Sequence, residues 1–536
     1  MRKHIRAIAL LAALTAGIAC DDDFITEAPS DFVAPENFYR NAGDALSALT
    51  SAYATFINLP DPLEDNQYVG RNLWMLVEYP TEVTTSRLSA TNERSLIGNY
   101  NAQFISSHPY VEGVWQAAYS GINRANMVIE RVPTIDMNAT RRDQIVGEAK
   151  FLRAVHYYWL AGLFGGVPLK LTPTASIEAA GFPRATAAAT WAQIQKDLTE
   201  AAAVLPTSWP AADFGRATKG AALTLLGKSY LQGAATGQTT NADYTKAADA
   251  FRQVLALGYR LETNYASLFD GSNERNAEVV WSIQNVRVPN AGGYLSQWFV
   301  PVTSPAIYTG GNAQNQFQAE RPFYDSYNSA DIRKAGTWLI SFVNAGKTVT
   351  WAWTAGIQTA ANYGSTGPSP RKYLDLNPPA SGAEAPDYMM LRYADVLLSL
   401  AEAINATSGP TGEAYGLVNQ VRTRAGVPNL TAGLNTTAFR DSLFVERRFE
   451  LAMEMHGVFD SRRNWTWAKS RLESYMGQIS TWNRTPFTSS VEKFTSNTPI
   501  ADKWRLYPIP AHACELNPEL TQNPGWDDGI CKPAGG

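Results

Sequence analysis

Cysteine and histidine are scarce in this chain, which has three of the first and five of the second among 536 residues. His4, His108, His156, His456 and His512 nowhere pair at H-x-x-x-H or H-x-x-E spacing, the arrangement that sets two metal ligands on one helix face. A metal-hydrolase site is therefore not expected. "NAGKT" at 344–348 has Ser341 where a phosphate loop needs its first glycine, and no G-x-S-x-G elbow occurs. "DPLEDNQYVGRN" at 61–72 opens like a calcium loop, but Asn66 replaces the turn glycine and Asn72 the bidentate glutamate. Neither sign of charge dominates: 45 basic against 49 acidic residues give a net −4, which lacks the basic footprint of a nucleic-acid partner. Past the N-terminus no apolar run approaches the roughly 18 residues of a membrane helix. No cofactor and no metal are expected.

The first thing present is an export signal. Arg2, Lys3 and Arg6 precede an apolar stretch over 8–16, followed by small residues and then "CDDD" from Cys20. That is a positive start, a short hydrophobic segment and a cleavage site, too short to span a bilayer. Residues 1–19 read as a signal peptide and Cys20 as the lipid-modified first residue of the mature chain, followed by a flexible spacer over 20–36. Removing residues 1–19 takes away three basic residues, so 42 basic against 49 acidic residues leave a net −7. Cys514 and Cys531 then remain as an even number in an oxidising compartment, and a disulfide between them is expected.

Helical periodicity recurs through the body. The spacing predicts helices over 387–406, 412–425 and 143–164, the last ended by Gly165, Gly166 and Pro168. "ALTLLGKSYL" and "YTKAADAFRQVL" read as a tetratricopeptide-like hairpin, with Leu226, Gly227 and Tyr230 on one helix and Ala247 and Phe251 on the other. Such hairpins bury their apolar faces by stacking, so more of them are expected. Trp281 in "EVVWSI" reads as a buried strand. In "ERRFELAMEMHGVFDSRR" at 446–463, Glu446, Glu450 and Glu454 share a helix side but alternate with arginines. Arginines lower carboxyl pKa values, so an ion-pair role is expected there, not acid–base catalysis.

Three stretches, 58–80, 290–320 and 350–370, have no period, few charges and many aromatic and amide residues. Loops this long usually carry function. Trp or Tyr rings can stack on the C–H face of a sugar while amides take its hydroxyls. The ligand-binding residues expected on this reasoning are Asn72, Trp74, Tyr294, Trp298, Tyr308, Asn312 and Gln314.

Taken in order, several segments resemble the SusD/RagB outer-membrane lipoproteins of nutrient uptake. They are "ENFYRNAGDALSALTSAYATF" at 36–56, "GEAKFLRAVHYYWLAGLFGGVPL" at 147–169, "LRYADVLLSLAEAIN" at 391–405, "VNQVRTRAGVPNL" at 418–430, the 446–463 cluster and "LYPIPAHACELNPELTQNPGW" at 506–526. Met455 and Gly457 stand where the family usually has Gly and then Arg. The resemblance implies a mainly α fold: a tetratricopeptide-like helical hairpin scaffold with a large irregular loop-rich part carrying the ligand site. It divides the chain into an N-terminal part over 37–264 and a C-terminal part over 265–536. It further implies a lid on a SusC-like TonB-dependent transporter, lipid-anchored to the outer membrane through Cys20 and facing the cell surface. Aspartates after the lipidated cysteine resemble a signal for export to that surface. The ligand would be a glycan or, as the alternative, a peptide. Binding without catalysis is expected, and a glycoside hydrolase is the less favoured reading.

Overall fold

The structure, a computed structural model, describes residues 38–57, 68–86, 93–174, 181–289, 291–300, 308–311, 313–344, 347–350, 368–479 and 499–533. Cys20, the spacer and Asn312 lie outside them. Long helices carry the scaffold: Pro109–Arg131, Ala139–Phe164, Ala187–Val204, Lys219–Ala235 and Ala242–Leu255, then Tyr393–Ser408, Gly412–Arg424 and Thr436–Leu451. Local chemistry sets their ends. The Asn138 side chain accepts the Arg141 N–H at 3.0 Å to start one helix, and Gly165, at φ 79°, stops it.

The 219–235 and 242–255 helices form the expected hairpin, and Gly227 is the reason they approach so closely. A Cβ there would lie 2.7 Å from the Phe251 ring, so the phenyl fills the space that glycine leaves. The 139–164 helix packs against both 109–131 and 187–204, and 393–408 pairs with 412–424, so helical hairpins stack through the chain. The fold is mainly α, as the sequence led us to expect. One apolar core runs from Ala45 to Cys531. Among the described residues no helix is long and apolar enough to cross a membrane.

One expectation about local structure changes. Residues 388–392 are not the first turn of a helix: they form a strand antiparallel to Val279–Ile283, and the helix begins at Tyr393. Every residue of that strand is buried, and a short run buried on both faces has no period to separate it from a buried helix. Trp281 sits in the partner strand, 4% exposed. Met455 adopts φ 60°, a left-handed conformation in which glycine is at ease, and this accounts for the glycine usual at that position in the resembling family.

Inside the core lies a dense ionic network. Arg392, 1% exposed, binds Glu278 at 2.7 Å and both Glu450 and Glu454 at 2.6 Å. Arg333 reaches Glu446 at 2.5 Å and Glu450 at 3.1 Å, and Lys372 reaches Glu454 at 2.6 Å. Burial alone would raise the Glu450 and Glu454 carboxyls, yet the cations outweigh it. Arg424, Arg392 and Arg333 hold Glu450 well below the usual range, while Arg392 and Lys372 lower Glu454. These acids tie together the 388–392 strand, the 436–451 helix and the turn that follows.

Cys514 and Cys531 are joined by a disulfide that staples the short Ala511–Leu516 helix to the C-terminal segment. Closing a loop of this size stabilises by about 3 kcal/mol. Cys531→Ser should lower stability by up to that amount while leaving the helical body folded. Labelling of denatured, unreduced protein should detect no thiol at either position.

A second measurable consequence concerns pH. Burial raises the Asp387 carboxyl to about 7, although the Asn285 N–H, donating to it at 2.8 Å, favours the charged form. The folded chain therefore keeps a proton there between about pH 4 and 7 that the unfolded chain releases. Its stabilising contribution is complete below pH 4 and lost as pH rises through 7. Asp387→Asn should match the parent near pH 4 and exceed it at pH 8, by at most about 4 kcal/mol. Denaturation midpoints at the two pH values measure this, and equal differences at both would contradict it.

Candidate functional site

Two of the aperiodic stretches meet in space. The Thr84–Ser86 strand pairs antiparallel with Phe317–Ala319, Thr84 opposite Ala319, so the segment after the first stretch is hydrogen-bonded to the end of the second. Tyr79 stacks on Phe317 with ring centroids 4.4 Å apart, and its hydroxyl donates to the Gln316 carbonyl at 3.0 Å. The third stretch lies mostly outside the described residues.

At this junction two guanidinium groups converge on one indole. Residues Tyr68–Asn72 form a π-helical turn ahead of the Leu73–Glu78 helix, a wide turn that often marks functional sites. It aims Arg71 at Trp298, 5.6 Å from the ring centroid, and at Tyr110, 5.3 Å away. Arg94, from the Glu93–Gly98 helix, lies 5.2 Å from the same indole. Its Nε donates to the Tyr110 hydroxyl at 2.7 Å, and that hydroxyl donates to Glu93 Oε1 at 3.2 Å. Burial pushes the Tyr110 phenol up against the opposing pull of Arg94 and Arg71, so it stays a neutral donor. Arg71 Nε in turn donates to Asn72 Oδ1 at 2.8 Å.

Two buried polar atoms on neighbouring segments here, Trp298 Nε1 and Gln316 Oε1, make no hydrogen bond among the described residues. Buried polar atoms are nearly always paired, so each of them calls for an explanation. Gln314, half-buried, donates its backbone N–H to the Gln297 carbonyl at 2.6 Å, and the Gln297 side chain accepts from the Ser381 hydroxyl. Amide and hydroxyl groups thus flank the arginine pair along the 294–299 segment.

The expected binding residues divide. Trp298, Asn72 and Gln314 come to this junction, but the rings are not open platforms. Trp298 is 4% exposed beneath its two arginines, and Asn72 is buried. Trp74, 1% exposed, packs edge-to-face on Phe299 and Tyr373, and is a core anchor. Tyr308 is buried too and donates to Glu384 at 3.0 Å. Glu384 also accepts the Ser296 and Gln297 N–H groups at 2.7 and 3.0 Å, and burial raises its carboxyl to about 7. Tyr294 is half-buried, its ring filling the space beside Gly382. The physical reason is common to all of them. Segments without helical or strand periodicity still need a core of their own, and a large ring that buries on the order of 150–250 Å² supplies it. Arg94, Glu93 and Tyr110 were not anticipated, because an arginine in a six-residue helix has no pattern that separates it from a solvated one.

Three further observations bear on chemistry. Glu446, Glu450 and Glu454 are spent in the buried ionic network, and the cavity of about 30 Å³ that Glu454 lines is the size of a water, too small for a sugar. Among the described residues no group of three or more His, Cys, Asp or Glu side chains is placed to hold a metal ion. Two clefts lie apart from the junction, one of about 190 Å³ beside Tyr53, Phe214 and Arg216 and one of about 390 Å³ beside Trp115 and Tyr119.

Comparison with known proteins places this architecture. A SusD-like protein of Formosa agariphila is 25% identical over 540 residues, covering 95% of this chain and 96% of its own. The starch-binding protein SusD of Bacteroides thetaiotaomicron is 26% identical over 443 residues, 71% of this chain and 72% of that protein. The crystal structure of a SusD homolog from Bacteroides thetaiotaomicron superimposes with a TM-score of 0.78 at 25% identity, covering 92% of this chain and 98% of the other. Residues 61–231 match a family described as starch-binding and associating with the outer membrane. Residues 225–526, more than half of the chain, match the SusD family itself, and the chain belongs to that family.

Proposed function

We propose that this protein is a lipid-anchored outer-membrane protein that captures an oligomeric glycan, without cleaving it, and delivers it to a SusC-like TonB-dependent transporter. The observation that carries the binding part is the convergence of Arg71 and Arg94 on Trp298, where two aperiodic segments are joined by a strand pair. An indole and two guanidinium groups side by side, next to the Gln297 amide and the Ser381 hydroxyl, are groups of the kind that hold the C–H face and the hydroxyls of a sugar. The starch-binding name of a relative supports a glycan over a peptide.

The acids of the 446–463 segment support a reading without cleavage. Glycoside hydrolysis needs two carboxyl groups roughly 5 to 9 Å apart across a bound sugar, one of them poised to donate a proton. Among the described residues, Glu450 and Glu454 are held by arginines that keep them charged, the opposite of what a proton donor needs. Delivery to a transporter rests on family membership and on the lipid anchor expected at Cys20. Oligosaccharides of starch and laminarin type, incubated with the protein and recovered, should return uncut. Shortened products would contradict the non-catalytic reading.

The anchor has its own test. Cys20→Ala should leave a folded protein in the soluble fraction of cells that lack the transporter, because acyl chains are then the only attachment to the membrane. A variant that still pellets with outer membrane from such cells would refute the lipid anchor.

A further inference from the structure

A cleft of about 390 Å³ is not part of the arginine junction. It lies between the 109–131 helix and the short 511–516 helix, and its volume falls in the range typical of ligand sites, about 300–1,000 Å³. Trp115 and Tyr119 line it from the long helix, their rings 5.1 Å apart and tilted by 51°. Tyr119 is fixed there by donating to the Pro168 carbonyl at 2.8 Å. The opposite wall is held rigidly: the disulfide ties Cys514 to Cys531, and the Ala511 N–H donates to the Ser106 carbonyl at 3.1 Å.

Its charges nearly cancel. Glu112, which accepts from the Gln116 amide at 2.9 Å, and Lys170 both line the cleft. His512 faces the Glu515 carboxylate at 3.3 Å. An anion would meet Glu112 and a cation would meet Lys170, so the lining favours a neutral ligand. Aromatic walls next to amide, amine and carboxylate groups match a molecule with an apolar C–H face and a rim of hydroxyls. Apolar surface continues past the mouth, where Leu516 is 70% and Phe182 39% exposed, with the Lys170 amine 5.5 Å from the Phe182 ring.

We propose that this disulfide-braced cleft is a second binding site for a neutral oligosaccharide, separate from the arginine junction. The 109–131 helix serves both, giving Tyr110 to the junction and Trp115 to the cleft. Five residues further along a helix is about 7.5 Å up its axis and roughly 140° around it, so the two sites look out from different sides.

The test is hydrogen–deuterium exchange on the full mature chain, alone and with millimolar laminarihexaose or maltohexaose. The parent should show at least twofold slower exchange in peptides covering 109–120 and 510–520 with one of the two sugars. Ala513→Phe, which fills the cleft from its wall, should abolish that protection, and Gln116→Ala at the rim should weaken it. Arg94→Ala should leave it unchanged while reducing protection over 68–98, which separates this site from the junction. Absence of protection over 109–120 and 510–520 with both sugars overturns the proposal, as does protection that survives both cleft variants. Protection of these segments only on assembly with a membrane transporter would make the cleft a protein-docking surface and overturn it too.

Discussion

Arg392→Ala should cost about 3–5 kcal/mol of stability, the loss expected when one partner leaves a buried ion pair and strands the other. Arg392 is bound to Glu278, Glu450 and Glu454 with essentially no contact with water, and those carboxylates have no solvent to turn to. A folded domain is stable by about 5–15 kcal/mol, so the variant should unfold at a far lower urea midpoint than the parent. Arg252→Ala is the matched control. It breaks an ion pair with Glu413 at 3.0 Å whose two side chains are both about half exposed, and such surface pairs are worth about 0–1 kcal/mol. Similar midpoints for the two variants would mean that the buried network does not organise the core.

Trp298→Ala should act on stability and binding together. Removing a buried indole costs about 3–5 kcal/mol through lost transfer free energy and the cavity left behind. Arg71 and Arg94 also lose the ring that seats them, a contact worth about 0.5–2 kcal/mol for each cation. If the arginines hold the sugar, affinity should fall about thirtyfold, or about 2 kcal/mol, at a temperature where the variant is still folded. Trp298→Phe keeps a ring in place and should recover most of the stability and part of the affinity. A variant that loses stability but binds like the parent would show that Trp298 is a core residue and nothing more.

Much of the scaffold could be read from the residues because helix signals are local. The stop at Gly165, the Gly227–Phe251 contact and the 393–408 and 412–424 pair all follow from caps, breakers and a 3.6-residue period. The buried strand around Trp281 was legible from its β-branched neighbours. Its partner, 388–392, was not, since pairing between residues more than a hundred positions apart leaves no mark on either segment. The ionic role of Glu450 was legible because arginines alternate with the acids in the chain itself. Arg333 and Lys372, which share those acids, come from remote segments that only the fold brings near.

The site was legible as a region and not as a set of contacts. Lack of periodicity and wealth of aromatics marked 58–80 and 290–320, and the structure does join them. Which rings face outward depends on what packs behind them, so Trp74 and Tyr308, chosen as platforms, turned out to be interior. Arg94 drew no attention in "NERSL", yet it places a charge over the indole and a hydrogen bond on Tyr110.

The central claim is that the Arg71–Arg94–Trp298 junction binds an oligosaccharide. Arg94 is the direct probe, because it is only partly buried and its loss should leave the fold intact. Isothermal titration of the parent and of Arg94→Ala with the same starch or laminarin oligosaccharide, checked by matching denaturation midpoints, is the deciding measurement. The account predicts saturable binding to the parent and at least tenfold weaker binding to Arg94→Ala; equal affinity in the two folded proteins, or binding of peptides and no sugar, would contradict it.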